Sequence, residues 1–331
     1  MRIGLCAALA GAALFASTQA FADDSTASLG MGGVVLTKNA DIRMASEDLK
    51  LSPNAVNVRY EFVNDSGKDV DTIVAFPLPD VDLYEFWESP MGTVKPQSPN
   101  FVGFTLTVDG KPVTPTPEER AVYKGRDVTA IVKAAGVPIN LAGTNLVDRM
   151  GKLPAAAKAA LLKADLIELD GDDNHPKWTA QTKFWWHQTF PAGKTVVIEH
   201  RYQPVTGQSM LSSLELKDAQ QMSYYNKNFC FNAPTLSSIR AKFAALKKPG
   251  QEEGILNLET TDFVIVTANN WKGPIGKFHL TIDKLKPDNL ISMCWDGDLK
   301  KTSSTTFEAT RTNFAPTRDI KLLVIETPPA N

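Results

Sequence analysis

The stretch Val56-Asn57-Val58-Arg59-Tyr60-Glu61-Phe62 decides the fold class. Apolar and polar side chains alternate along it, and this period of two is typical of a β-strand with one buried face. Turn residues follow at 64–67, and a second apolar run covers 70–76. Pro77-Leu78-Pro79 ends that run, because proline cannot donate to a strand ladder. The beginning of the chain therefore predicts a mainly β protein.

Further strands are indicated on the C-terminal side. Residues 104–108 alternate again before a tight turn at Asp109-Gly110. Two apolar runs, 184–190 and 195–202, flank the sequence Pro-Ala-Gly-Lys at 191–194. This arrangement predicts a β-hairpin with a four-residue loop.

The period changes between these strands, and we predict a helical insertion over residues 116–170. Thr116-Pro117-Glu118-Glu119 has the form of a helix capping box with proline at the first helical position. It predicts a helix that extends to about residue 135. A run rich in Ala, Lys and Leu after Pro154 predicts another helix, to about residue 169.

The chain after residue 205 predicts a second, smaller unit. A helix over 237–248 is followed by short alternating or apolar runs separated by turn residues, at 262–268, 277–283, 290–295, 305–310 and 319–326. We therefore expect a β-sandwich domain over 23–205 that carries the helical insertion. A second β-rich, α+β domain is expected over 206–331.

Residues 1–22 have the form of a cleaved signal peptide. Arg2 precedes an apolar run over 3–15, and Ala20-Phe21-Ala22 matches the small-x-small pattern of a cleavage site. A membrane anchor is the alternative, but the apolar run is shorter than the roughly 20 residues that a span needs. We expect export to the periplasm, a mature chain beginning near Asp23, and no transmembrane segment in it.

The cysteine count predicts one disulfide, and the net charge argues against one class of partner. Cys230 and Cys294 remain after cleavage, so we predict that they form a disulfide with both sulfurs buried; two free thiols are the alternative. Closing that loop contributes roughly 4 kcal/mol in the chain-entropy model. The formal net charge is −2, without a long run of one sign, which argues against a nucleic-acid partner.

Three stretches together resemble one family. They are SLGMGGVVL at 28–36 with NADIRM and SEDL at 39–49, WWHQTFPAG at 185–193 with EHRY at 199–202, and ANNWKGPIGKF at 268–278 followed by Cys294. The chain resembles the exported bacterial proteins grouped as domain of unknown function 4424. The resemblance implies a periplasmic or secreted location and no particular activity. Residues 58–108 also resemble the vault and inter-α-trypsin β-sandwich module, which implies an interaction domain.

Two candidate metal sites are present. In the simplest hairpin register, His187 and His200 lie on one sheet face, where two imidazoles could share a metal; ordinary cross-strand packing is the alternative. Residues 170–175, Asp-Gly-Asp-Asp-Asn-His, begin like a calcium loop, but the sixth position is His175 where the loop requires glycine. A solvated acidic turn is the alternative there.

Aromatic residues supply candidate contacts with a ligand or partner. Trp271 lies with Asn269 and Asn270 in a loop that contains glycine and proline, and Trp178 precedes the predicted hairpin. Indole rings at such positions contact ligands or anchor the loop to the sheet.

Motifs of the major enzyme classes are absent from the sequence, including the nucleophile elbow, the phosphate loop and the zincin motif. We therefore expect a non-enzymatic periplasmic protein that binds an unknown protein or envelope component, without a cofactor. The alternatives are a hydrolase of envelope glycans or peptides with unidentified catalytic carboxylates, and a metal-binding protein using His187 and His200. A deep cleft with two facing carboxylates would favour the enzyme.

Overall fold

The computed structural model describes residues 24–30, 33–84, 98–140, 146–171, 173–246 and 254–327. The predicted signal peptide, 1–22, lies outside the described residues. Strands predominate, as the alternating sequence pattern predicts.

The strands, in chain order, are β1 (Ser25–Gly30), β2 (Gly33–Thr37), β3 (Ile42–Ser52), β4 (Ala55–Asn64), β5 (Val70–Pro77), β6 (Val81–Asp82), β7 (Thr105–Val108), β8 (Lys111–Val113), β9 (Thr116–Tyr123), β10 (Arg126–Asp127), β11 (Ile167–Asp170), β12 (Asp173–Pro176), β13 (Thr179–Phe190), β14 (Thr195–Tyr202), β15 (Thr206–Leu211), β16 (Leu256–Phe263), β17 (Ile275–Asp283), β18 (Leu290–Ser292), β19 (Lys300–Lys301), β20 (Thr306–Phe314) and β21 (Ile320–Glu326).

The α-helices are α1 (Thr129–Ala134), α2 (Leu146–Gly151), α3 (Ala155–Lys163), α4 (Ala219–Phe229) and α5 (Ala233–Leu246), and short 3-10 helices cover Glu215–Lys217 and Val266–Asn270. The helix predicted over 237–248 corresponds to α5, which begins earlier because Asn232 caps it by accepting from the Thr235 N–H at 2.9 Å. α4 has no counterpart among the helices predicted from the sequence.

Two large sheets form a sandwich. Sheet I has the strand order β10-β9-β13-β5-β1-β2, with β6 beside β13, and sheet II has the order β19-β20-β17-β3-β4-β14-β7-β8. Phe76 and Phe184 of sheet I and Phe62 and Ile198 of sheet II are buried in one core cluster between them. The apolar residues of the opening alternating stretch, Val56, Val58, Tyr60 and Phe62, therefore face this core.

A third, smaller sheet carries the C-terminal helices. Sheet III has the order β15-β16-β21-β18. One face of sheet III adds Phe263, Leu322 and Val324 to the sandwich core, and the other face packs Leu258 and Leu323 against α4 and α5. Sheet III is therefore covered on both faces over much of its length.

The predicted hairpin over 184–202 is wrong. β13 pairs with β5 and β9 in sheet I, whereas β14 pairs with β4 and β7 in sheet II. The loop at 191–194 crosses from one sheet to the other, and the Asn64 side chain ties it down by donating to the Phe190 carbonyl at 2.7 Å. Both runs carry a large apolar face, so they pack face to face across the core instead of pairing edge to edge.

The helix predicted from Thr116 is also wrong at its start. Residues 116–123 form β9, which pairs with β13, and only the short helix α1 follows. Glu118 does not cap a helix: its carboxylate accepts the Val34 N–H at 2.8 Å and pairs with Arg120 at 3.0 Å. The second predicted helix ends as α3 at Lys163, and β11 occupies the end of its range.

Strands on either side of residues 116–170 share both sheets, and β9, within that range, is also a strand of sheet I. β5 pairs with β13 in sheet I, and β4 pairs with β14 in sheet II. The inserted helices and the β11–β12 hairpin have their own apolar cluster, which includes Val132, Leu161 and Trp178.

The boundary expected at residue 206 does not separate two independent cores. β17 pairs in parallel with β3, with Leu280 beside Leu49, so that the C-terminal part extends sheet II. Phe278 and Trp271 lie in the same core cluster as Phe62. The chain after 205 therefore builds sheet III and also completes the first sandwich.

The predicted disulfide is present. Cys230 and Cys294 are bonded, with Cα atoms 5.0 Å apart. Cys230 ends α4 in the left-handed conformation (φ 53°). Contrary to expectation, Cys230 is exposed, and the Arg318 guanidinium lies 3.9 Å from its sulfur. The bond fastens the C-terminal end of α4 to the segment that follows β18.

Candidate functional site

A cleft of about 340 Å³ opens where the sandwich meets sheet III and α4. Small-molecule sites in proteins have volumes of about 300–1,000 Å³ and occur preferentially where structural units meet. The cleft therefore has the size and the position of a ligand site.

Sheet III supplies the floor of the cleft. Residues directly opposite in an antiparallel pair lie on the same face, and the strand registers place Gly207 beside Thr260 and Asp262 beside Lys321. Thr260 is also beside Leu323, whose side chain packs under the helices. The floor is thus a continuation of the helix-covered face, at a place where the helices leave it open.

The walls of the cleft carry aromatic side chains. The segment 78–82, which follows β5, forms one wall, and Phe101 and Tyr202 lie at the end of the sandwich. α4 contributes Tyr224 and Phe229. Phe101, Tyr202 and Phe229 are buried, whereas Tyr224 is 53% exposed, so the aromatic lining extends from the interior to the surface.

Asp80 is the residue of this wall whose pKa departs most from its ordinary value. Its side chain accepts a hydrogen bond from the Gln181 amide at 2.9 Å. Desolvation raises the pKa of this carboxyl to about 6, although that hydrogen bond and the nearby Lys183 ammonium oppose the shift. Asp80 can therefore change its charge near neutral pH, at the surface of the cleft.

Asp262 and Lys321 form an ion pair on the floor. Lys321 Nζ lies 3.6 Å from Asp262 Oδ2. Burial raises the pKa of the Asp262 carboxyl, and the ammonium of Lys321 opposes the shift. Asp262 Oδ1 is shielded from solvent and has no hydrogen-bond donor within the described part of the chain. The floor thus holds a carboxylate whose hydrogen-bonding capacity is only partly used.

His200 lies in the core of the sandwich, away from this cleft. Its Nε2 is 2.9 Å from Asp24 Oδ1, and both side chains are fully buried. Burial raises the pKa of the Asp24 carboxyl, and the charge of His200 opposes the shift. Aromatic rings surround the imidazole at centroid distances of 5.0–5.6 Å, from Tyr60, Phe76, Phe104 and Trp186. This arrangement fixes the imidazole and Asp24 in place.

His187 does not meet His200, so the predicted pair is not formed. It is exposed on β13, beside Ile73 of β5, and its ring stacks edge-on against Trp185 at 5.8 Å. The two histidines lie in different sheets. Within the described residues, no group of three or more His, Cys, Asp or Glu side chains is placed to hold a metal ion.

Trp271 is an internal anchor and not an exposed contact, whereas Asn270 is half-buried and Asn269 is exposed. Trp271 is 3% exposed, and its indole N–H donates to the carbonyl of Asp24. Asn270 Nδ2 donates to Ser25 Oγ at 3.0 Å, and Asn269 Nδ2 donates to the Pro316 carbonyl at 2.8 Å. All three side chains hold the loop to other parts of the fold.

Trp178 and the acidic turn also have structural roles. Trp178 is fully buried in the insertion's cluster, and its indole N–H donates to the Ile139 carbonyl at 3.0 Å. The acidic turn joins β11 to β12, where Asn174 donates to the Met150 carbonyl at 2.7 Å. Asp172 lies outside the described residues.

The residues of the cleft were not found from the sequence. Asp80 follows the Pro-Leu-Pro segment, which signals only the end of a strand, and Asp262 and Lys321 lie far apart in the chain. The one usable signal was the break at Pro77–Pro79, because a segment that leaves a sheet edge is free to line a cavity.

Within the described ranges, no helix combines the length and the apolarity that a membrane crossing requires. The disulfide is typical of proteins that fold outside the cytoplasm.

Among curated proteins, none matches this sequence. One similar solved structure is a Legionella pneumophila protein described provisionally as nutrient binding, with 15% identity and a TM-score of 0.44. The match covers 91% of this chain and 72% of that chain. A similarity this low supports no inference about the ligand or the function of this chain. The model of the family called domain of unknown function DUF4424 matches residues 22–323. The chain therefore belongs to the DUF4424 family.

Proposed function

We propose that this chain is a periplasmic, non-enzymatic binding protein that holds a small ligand in the cleft between the sandwich and sheet III. The observation that carries the proposal is the convergence of separate chain segments on one cavity. Polar groups come from segment 78–82, β16 and β21, and aromatic rings come from the sandwich and α4. A few polar groups set among apolar and aromatic walls are typical of a ligand site.

The periplasmic location is supported by three features. The disulfide requires an oxidising compartment for its formation. The sequence of residues 1–22 has the form of a signal peptide. The family resemblance described above is to exported bacterial proteins.

A hydrolase acting on envelope glycans or peptides is the second candidate. One observation favours it: the pKa of Asp80 is raised to about 6, which suits a general acid or base near neutral pH. Asp262, the carboxylate on the floor of the cleft, is however engaged by Lys321. Binding without turnover therefore fits the cleft better than a pair of catalytic carboxylates.

Blocking the cleft tests the proposal. Ser209 lines the floor, so Ser209→Trp should fill the cavity, whereas Ser237→Trp places the same ring on the exposed side of α5 and serves as the control. The probe is the small-molecule fraction of a periplasmic extract, and the readout is the shift in Tm. We expect the extract to raise the Tm of the wild type and of Ser237→Trp, but not that of Ser209→Trp.

An equal shift in all three proteins would contradict the proposal. Mass spectrometry of the same extract before and after incubation separates the two candidates. Consumption of a component by the wild type, lost in Asp80→Asn, would instead identify a hydrolase.

A further inference from the structure

We infer that the ligand of this cleft is an organic cation that carries ammonium groups. The inference rests on the proposed binding function and names the chemical class that the cleft accepts.

The charge of the lining is the first argument. Asp80, Asp82 and Asp262 contribute three carboxylates, and Lys321 contributes the one ammonium among the described lining residues, which gives a formal charge of −2. Lys321 is already paired with Asp262. A concave site lined by one sign of charge concentrates ions of the opposite sign. The wall that contains Asp80 and Asp82 is therefore the attractive side of the cleft.

Lys183 interacts electrostatically with Asp80 but does not line the cavity. Lys183 on β13 faces Asp80, but its ammonium donates to the Val34 carbonyl at 3.1 Å. Lys183 is also absent from the lining. Among the described lining residues, the wall of segment 78–82 therefore holds carboxylates and no cation of its own.

The aromatic walls suit the same class of ligand. Phe101, Tyr202, Tyr224 and Phe229 line the cleft. Aromatic rings attract cations through the negative charge of their faces, and the attraction increases where water is excluded. Aromatic and acidic groups therefore select together for a cation.

The acceptors for an ammonium group are also in place. Three N–H donors on each ammonium need oxygen acceptors. Asp80 offers carboxylate oxygens at the wall, and Ser209 and Thr260 bring hydroxyl groups to the floor. The cleft can therefore accept hydrogen bonds from an ammonium group on both sides.

The acidity of Asp80 adds a pH dependence. Because its pKa is raised to about 6, Asp80 is charged above this pH and becomes neutral below it. The charged groups around it are Lys183, Asp82 and the Asp262–Lys321 pair. Cation binding should be strongest above pH 6 and should weaken as the pH falls through that value.

Three probes of equal length but different charge test the inference. They are 1,5-diaminopentane, 1,5-pentanediol and pentanedioate, titrated into the full mature protein by calorimetry at neutral pH. We expect the diamine to bind, and the diol and the dianion to bind about tenfold or more weakly, as loss of a charge-assisted hydrogen bond predicts. Asp80→Asn should weaken diamine binding by a similar factor and abolish its decrease below pH 6. Asp298→Asn removes the same charge from an exposed loop outside the lining and should leave binding unchanged.

The outcomes separate the two proposals. Equal affinity for the diol or the dianion, or equal effects of Asp80→Asn and Asp298→Asn, would overturn the cation inference. The binding function would then still stand if Ser209→Trp abolished binding of the preferred probe. Failure of all three probes to bind, together with no Tm shift from the periplasmic extract, would overturn both.

Discussion

At the scale of single residues, the first described residue and the Trp271 loop hold each other in the core. Asp24 meets the His200 imidazole through its side chain and the Trp271 indole through its carbonyl oxygen. The backbone N–H of Asn39 adds a bond to the Asn270 carbonyl at 2.7 Å. His200 and Trp271, which resembled site residues in the sequence, are therefore part of the interior.

The indole N–H of Trp271 can be tested by replacement with phenylalanine. Trp271→Phe keeps most of the ring packing but leaves the buried Asp24 carbonyl without this donor. We expect the free energy of unfolding to fall by about 1–3 kcal/mol, the cost of an unsatisfied buried acceptor. Urea unfolding followed by circular dichroism measures the change.

Trp295→Phe is the matched control. The indole nitrogen of Trp295 is buried without a hydrogen-bond partner in the described part of the chain, so its removal deletes no bond. A loss of stability at Trp295 as large as that at Trp271 would show that ring size, and not the hydrogen bond, accounts for the effect.

At the scale of elements, two segments adopt a structure that differs from the predicted one, and the reason is the same for both. The strand at 116–123 has the sequence of a capped helix start, and the strands at 184–202 have the sequence of a hairpin. In both cases β13 decided the outcome, because it pairs with β9 on one side and β5 on the other. Contacts with a distant strand thus outweighed local helix and turn preferences.

The disulfide joins two elements, and its removal is a prediction at this scale. Cys230→Ala with Cys294→Ala frees the end of α4 from the segment after β18. We expect the free energy of unfolding to fall by about 4 kcal/mol, because the unfolded chain regains the entropy of the opened loop. Urea unfolding of the oxidised wild type and of the double variant gives the difference.

Reductant supplies the control for this prediction. It should lower the stability of the wild type to that of the double variant and leave the double variant unchanged. Equal stability of the oxidised wild type and the variant would mean that the bond does not constrain the unfolded chain.

At the scale of the whole molecule, the N-terminal and C-terminal halves share one core. β3 lies between β4 and β17 in sheet II, so residues 42–52 bridge strands from both halves. Trp271, Phe278 and Ile282 fill the same cluster as Phe62. We therefore expect a single cooperative unfolding transition for the full mature chain.

A truncated chain tests whether the two halves unfold as one cooperative unit. A protein consisting of residues 23–205 loses β17 and β20 from sheet II and exposes the inner face of the remaining strands. We expect it to lack a cooperative thermal transition and to lose near-ultraviolet circular dichroism, measured beside the full mature chain as the control. A cooperative transition in the truncated chain would show that residues 23–205 form an independent domain.

The sequence by itself determined the features that depend on neighbouring residues. Alternation from Val56 to Phe62 predicted a core strand, and Asp109-Gly110 predicted the turn between β7 and β8, where both residues have positive φ. Cys230 and Cys294 were predicted as partners because no other cysteine remains in the mature chain.

Only the tertiary structure decided which strands share a sheet and which side chains share a cavity. The period of a strand shows which side chains point inward, but it contains nothing about the partner strand, as the β3–β17 pairing shows. Asp80 became part of a candidate site because strands from distant parts of the chain brought it beside the cleft that contains Asp262 and Lys321. Trp271 is not a candidate contact for the same reason, since it is held in the core by Asp24, 247 residues away in the chain.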